Sequence, residues 1–451
     1  MRPNAFITKE AVIDRLIHHW MYKQPTSCLW GIIGLNEPLS DEIIENALKI
    51  LINTVPILSA GLKTRLWHGH WEFVEPGNIK TLITRKTVSD REEANRLLKE
   101  IIRNPIAADN PPLIRITSID LTDDHYLILQ VHHYVMDGEG SKQLFALFAE
   151  IYRELEKDPR WQPTTCPVMN RSWFQMAKHL KWHRLVMVPV IAFKELLAVI
   201  SALLKLNTSA AVIIGDFSEN NKSFVPENPL IETFLIDDHE IDLIKARLKK
   251  EGAKVNDIIM AALMTTVNTW NLACGETFSY VLSIYTINVR RWLGQPEGSF
   301  ANMSAIYPVV ANSDDLVDVH KAIKILKNKF DKSKKNFGLK ELWDILSLKI
   351  QPELMTKILS FLIVRAVKKT QTLTNIGIIP ESAGNFGRLK AKSYSLIAHP
   401  MPSPNLLFTA SSYKNNLTVH CNFNETHMKP ETAKNFMRQF RDNLLAFARV
   451  F

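Results

Sequence analysis

One segment constrains this chain more than any other. An apolar run from Tyr126 to Val131 reads as a buried strand, and it ends in His132 and His133. Asp137 and Gly138 follow, and a helical pattern from Glu139 to Leu155 carries Leu144, Leu147, Phe148 and Ile151 on one face. A buried strand feeding an amphipathic helix needs a sheet with helices packed on it, hence an α/β architecture. The polar loop between them is where such a unit presents side chains for chemistry.

The same alternation recurs along the chain. Cys28 to Leu35, Leu113 to Ile119 and Tyr126 to Val131 read as strands. Ser40 to Ile52 reads as a helix, and a Ser89/Glu92 capping box is expected to start another that runs to Ile102. After a Pro-, Asn- and Ser-containing stretch, Leu230–Ile236, Phe278–Val289, Leu373–Ile379, Asn405–Ser411 and Leu417–Phe423 read as strands, with helices over Asp238–Lys250, Val255–Trp270 and Pro430–Val450. With 451 residues, 46% of them hydrophobic, one ordinary core does not suffice. Two lobes are expected, over residues 1–160 and 230–451, joined by a linker over 161–229.

The four cysteines are scattered, which argues against a disulfide framework and a thiolate zinc site. With no apolar signal segment at the start, a cytoplasmic protein is expected. The net charge of +9 is concentrated: residues 320–370 hold 13 Lys/Arg against four Asp/Glu. Such a stretch can attract anionic lipid, a phosphate-bearing co-substrate or an acidic protein, and without interleaved aromatics nucleic acid is not expected.

Strand side chains alternate faces, so His132 and His133 cannot both enter one site while the strand stays regular. That argues against a two-histidine metal centre, and no third ligand cluster completes one. A neutral imidazole, with an unperturbed pKa of about 6.5, instead serves as a general base near neutrality. Asp137 can supply its frame in two ways: by pairing with the ring as in a triad, or by pinning the loop through an arginine. The plainer alternative, a core histidine beside a hydrogen-bonded strand end, is weakened by the rarity of a chance His-His-x-x-x-Asp-Gly match. No Gly-x-Ser-x-Gly elbow or cysteine nucleophile signature is present, so the base is expected to act on an acceptor directly.

The run His132-His133-x-x-x-Asp137-Gly138 resembles the signature of the superfamily containing chloramphenicol acetyltransferase, condensation domains, wax ester synthases and alcohol acyltransferases. Val255–Ala262, Asn288-Val289-Arg290 with Phe300-Ala301-Asn302, and Thr374-Asn375-Ile376-Gly377 resemble its later segments in order. The resemblance implies two chloramphenicol-acetyltransferase-like α/β lobes around an active-site tunnel. It implies that His133 is the base, with His132, Gly138, Arg290, Asn302 and Asn375 supporting, and that Asp137 pairs with Arg290, or failing that Arg291. The co-substrate would be acyl-CoA or an acyl carrier phosphopantetheine, with no permanently bound cofactor, and the acceptor a hydrophobic alcohol or amine. A monomer fits the two-lobed pattern. A free-standing condensation enzyme forming amides and a non-catalytic lipid- or protein-binding module are the alternatives. The Asp-Phe-Gly-Trp-Gly motif of plant alcohol acyltransferases is missing, Asn385-Phe386-Gly387 being a superficial echo, and Ala301 stands where the family has glycine.

Two apolar stretches bear on the acceptor. Leu185–Phe193 with Leu196–Leu204 is interrupted by Lys194-Glu195, too broken for a membrane span. Its basic neighbours Arg171, Lys178, Lys181, Arg184 and Lys205 fit a helix lying in a membrane interface, hence peripheral membrane contact. Ile358–Val367 is the second stretch; each reads equally as a buried core helix.

Overall fold

Residues 8–9, 14, 17, 27–64, 69–164, 171–179, 186–187, 189–190, 193, 211, 213–217, 229–290, 300–334, 370–401 and 405–449 are described in the computed structural model of the chain. The basic and apolar segment at 335–369, Arg291 and most of 180–210 lie outside them.

In the first half the order is β1 (Thr8–Lys9), β2 (Cys28–Leu35), α1 (Asp41–Thr54), β3 (Ala60–Thr64), β4 (Gly69–Phe73), β5 (Ile83–Thr87), α2 (Arg91–Arg103), β6 (Ile114–Asp120), β7 (His125–His132) and α3 (Gly138–Lys157). In the second it is β8 (Pro229–Ile236), α4 (Asp238–Glu251), α5 (Val255–Ala273), β9 (Tyr280–Asn288), β10 (Ser304–Asn312), α6 (Val319–Lys334), β11 (Gln371–Ile378), β12 (Asn385–Phe386), β13 (Leu389–Lys390), β14 (Ser393–Ile397), β15 (Leu407–Tyr413), β16 (Asn416–Asn424) and α7 (Pro430–Arg449).

These strands build two principal sheets, β14-β2-β7-β6-β5 and β10-β9-β11-β15-β16-β8, and a small sheet β1-β4-β3. The molecule is thus two mixed α/β lobes, but the halves interlock. Strand β14 belongs to the second half and pairs antiparallel with β2, from Ser393 opposite Gly34 to Ile397 opposite Trp30. The first-lobe core accordingly takes in Phe386, Tyr394 and Leu396 alongside Trp30, Phe145 and Phe148. Burying each such side chain contributes roughly 1.5–3 kcal/mol, so β14 ties the lobes by packing as well as by its ladder.

Helix α3 forms where its apolar stripe meets the sheet. Leu144, Phe145, Phe148, Ile151 and Tyr152 are buried, Glu139 and Lys157 complement the dipole at the two ends, and Asp137 caps the first turn by accepting from the Gly140 N–H at 2.9 Å. At α2 the cap is one residue later than the sequence suggested: Asp90 accepts from the Glu93 N–H, while Ser89 donates back to Glu93. The capping partner is thus Glu93 rather than Glu92, and its carboxylate reaches back to Ser89, the residue before the cap.

The stretch expected to be a linker also contributes to the core. Trp173 is buried with Val289, Ala301 and Met303, and Ala211 and Ile213 join the second-lobe core.

Candidate active site

His132 is the last residue of β7 and sits opposite Cys28 of β2. Its ring turns into the protein, where Nδ1 accepts the Tyr134 backbone N–H at 3.1 Å and the ring meets Tyr134 edge-on. Burial, then the neighbouring His133, pushes its pKa down to about 3. It is a neutral structural group.

His133 breaks from the strand: its N–H donates to the Ser27 carbonyl at 2.8 Å, and the residue is partly exposed. Nδ1 is buried without a partner at standard hydrogen-bond geometry. Desolvation lowers its pKa, opposed by the Asp137 charge and by the nearby Asn302 side chain and Met136 backbone. A neutral, reachable imidazole at neutral pH is the protonation state a general base requires.

Asp137 does not hydrogen-bond to either histidine. Arg290 grips it with two donors, Nη2 to Oδ1 at 2.8 Å and Nη1 to Oδ2 at 3.0 Å. The Met303 N–H and the Ser304 hydroxyl add bonds to Oδ2 at 2.8 and 2.7 Å. Burial opposes ionisation, but the Arg290 charge and these donors hold the carboxyl below the usual range. Of the two frames open to Asp137, the geometry is the arginine-pinned loop. Asp137 thus meets the arginine that the resemblance implied, and its other donors are the Gly140 and Met303 N–H groups and the Ser304 hydroxyl.

The loop from His133 to Asp137 is braced along its length. Asn302 Nδ2 donates to the Tyr134 carbonyl at 3.0 Å, the Asp137 N–H donates to the Ala301 carbonyl at 3.3 Å, and Arg290 reaches the same carbonyl at 2.8 Å. Ala301, the departure from the family pattern, therefore acts through its backbone, for which its side chain is immaterial. Gly138 starts α3 where an added Cβ would stand 3.3 Å from Ile376 of β11.

Residues 15–177 match the family model described as Condensation domain. The chain is 21% identical over 272 residues to a linear gramicidin synthase polypeptide of Brevibacillus parabrevis, covering 56% of this chain but only 5% of that protein. The chain thus spans a small part of that relative's length. The epimerization domain from the third module of tyrocidine synthetase B superposes with a TM-score of 0.66 at 15% identity, covering 99% of this chain and 97% of that one. Trichothecene 15-O-acetyltransferase from Fusarium sporotrichioides superposes with a TM-score of 0.71 at 12% identity over 96% and 94% of the two chains. The first condensation domain of the calcium-dependent antibiotic synthetase gives 0.67 at 13% identity over 99% and 98%.

The fold is the one shared by these epimerization, O-acetyltransferase and condensation-domain structures. Its members in this comparison differ in the activities their names state, so the chemistry has to be argued from the site.

Within this condensation-type fold, two residues escape a sequence reading. Arg171 forms a buried bidentate pair with Asp14 at 2.7 and 2.9 Å and donates to the carbonyls of Val135 and Phe300 at 2.8 and 2.7 Å. Expected to be a basic flank of a membrane-facing helix, it is instead enclosed, its charge spent on Asp14 and on the histidine loop. The second is His399, whose ring stands edge-on to His133 with centroids 5.0 Å apart. Neither has a local signal: their partners are far away in sequence.

Asn375 lines a different feature, a second-lobe pocket of about 300 Å³ with Asn256, Met260, Thr286 and Phe330. Its side chain bonds Asn256 and accepts from the Gly377 N–H at 2.8 Å, where β11 shifts register and Gly377 takes φ +79°. It supports the bulge that places Ile376 against Gly138, without a hydrogen bond to the histidine loop.

Proposed function

We propose that this chain transfers an acyl group from a thioester to a hydroxyl or amine, with His133 as general base. His133 takes the acceptor's proton as its heteroatom attacks the thioester carbonyl; the carbon–sulfur bond breaks, and the proton passes to the departing thiolate. The observation that carries this reading is the environment of His133: a neutral, accessible imidazole held on a loop fixed by Asp137, Arg290, Asn302 and Arg171. Fixed geometry converts most readily into rate when the base is pre-positioned. The thioester would be acyl-CoA or an acyl carrier phosphopantetheine.

The Condensation domain match favours a second form of the same chemistry, amide formation between carrier-tethered substrates. A hydrophobic acceptor, or a lipid surface that delivers it, is supported by Val186, Met187, Val190 and Phe193, all exposed. Among the described residues no helix is long and apolar enough to cross a membrane.

Free thiol release from octanoyl-CoA and from an octanoyl carrier protein, each with 1-octanol or octylamine, tests the proposal. Wild type should turn over at least one donor and His133→Ala neither. Near wild-type release by His133→Ala would overturn the mechanism, and the preferred donor separates the two forms.

A further inference from the structure

His399 is a third imidazole at this site, and the proposed chemistry does not use it. It follows β14, and the preceding residue is clamped from both sides: the Ala398 N–H donates to Thr409 Oγ1 at 3.2 Å, and Asn422 Nδ2 donates to the Ala398 carbonyl at 2.8 Å. These contacts hold His399 at the junction of the two lobes, 6% exposed and edge-on to His133. Among the described residues, neither of its buried ring nitrogens has a hydrogen-bond partner. Burial, with the neighbouring imidazoles, keeps the ring neutral. It therefore presents one N–H donor and one acceptor.

A buried imidazole with neither nitrogen satisfied is costly to keep unless something else satisfies it. Among the described residues no three His, Cys, Asp or Glu side chains converge as metal ligands. No described protein group satisfies it either, so both its donor and its acceptor are open to a bound molecule. His133 already engages the reacting heteroatom. Heteroatoms on adjacent carbons lie within about a hydrogen-bond length of each other, so two rings whose centroids are 5.0 Å apart can each take one.

We propose that His399 binds the acyl acceptor through a second polar group on the carbon next to the reacting one, so that the acceptor is a 1,2-diol or a 2-amino alcohol. This rests on His133 being the base. A site built to hydrogen-bond a substrate hydroxyl discriminates strongly against the analogue that lacks it, because its own buried groups are then left unpaired.

The test uses octanoyl-pantetheine as donor and two matched acceptor pairs, 1,2-octanediol against 1-octanol and 1-amino-2-octanol against octylamine. Wild type should favour the bifunctional member by about tenfold or more in kcat/KM. His399→Phe should lose the preference, and His399→Gln should retain part of it. The melting temperature of His399→Phe should not fall, since no protein hydrogen bond is lost; a structural role predicts that it does. An unchanged preference in His399→Phe overturns the inference. So do His399 ring 15N signals that stay unmoved by saturating 1,2-octanediol in the wild-type protein. If His133→Ala retains turnover, the assignment of His133 as base fails, and the 15N titration still decides whether His399 binds the second hydroxyl.

Discussion

Replacing Arg290 with methionine isolates the contact on which the loop depends. The substitution removes both bonds to Asp137, the 2.8 Å bond to the Ala301 carbonyl and a 3.3 Å contact with Asn288 Oδ1. Asp137 is 2% exposed at its side chain, so water cannot replace what is lost. Removing one partner of a buried pair costs about 3–5 kcal/mol. The carboxylate keeps the Gly140, Met303 and Ser304 donors, which places Arg290→Met at the lower end, about 3 kcal/mol. Unfolding entropy near 2 cal/mol/K per residue over a chain of 451 residues converts this to a Tm lower by about 3 °C when the lobes unfold together. Adding Asp137→Asn removes the stranded charge and should recover part of the loss, so the two changes should be non-additive. Thermal melts of wild type, both single variants and the double variant measure this directly. An Arg290→Met protein that melts within about 1 °C of wild type, with undiminished turnover, would refute the reasoning.

Three further outcomes follow from the same geometry. His132 has a folded-state pKa of about 3 against about 6.5 unfolded, so the unfolded chain takes the proton first as pH drops. Stability is whole above pH 6.5 and falls below it by about 1.4 kcal/mol per unit from this residue alone; urea midpoints from pH 7 to 4 should show it, with a shallower slope in His132→Gln. Arg171→Met strands Asp14 and frees the Val135 carbonyl, and should cost about 3–5 kcal/mol by denaturation together with a clear loss of kcat. Gly140→Ala would put a Cβ 3.0 Å from Met136 Cβ and should destabilise by about 1–3 kcal/mol, whereas Gly138→Ala, opposite Ile376 at 3.3 Å, should change turnover more than Tm.

What can be read from the sequence follows the range of the forces involved. Helix α3, strand β7 and the loop between them are written locally, in a period-3.6 stripe, an apolar run and a capping aspartate. Strand β10 is equally local, since Ser304–Asn312 alternates buried and exposed residues, yet it is missing from the strands expected above. The Asp137–Arg290 contact spans 153 residues, and only the family resemblance points to it. Arg171 and His399 cannot be found that way. Arg171 looks like any basic residue beside an apolar run until Asp14 meets it, and His399 reaches the site because β14 crosses to the first-lobe sheet. That crossover depends on pairing with β2, and no local pattern encodes a choice of partner strand.

The central claim is that His133 acts as a neutral base. Its most direct test is to titrate the His133 ring by NMR and to record the acid limb of kcat/KM on the same preparation. Because burial lowers the pKa of His133, the ring should stay neutral, and the enzyme active, to a pH below 6.5, with both curves breaking together. A kinetic limb that breaks at a different pH, or one that persists unchanged in His133→Gln, would contradict the account.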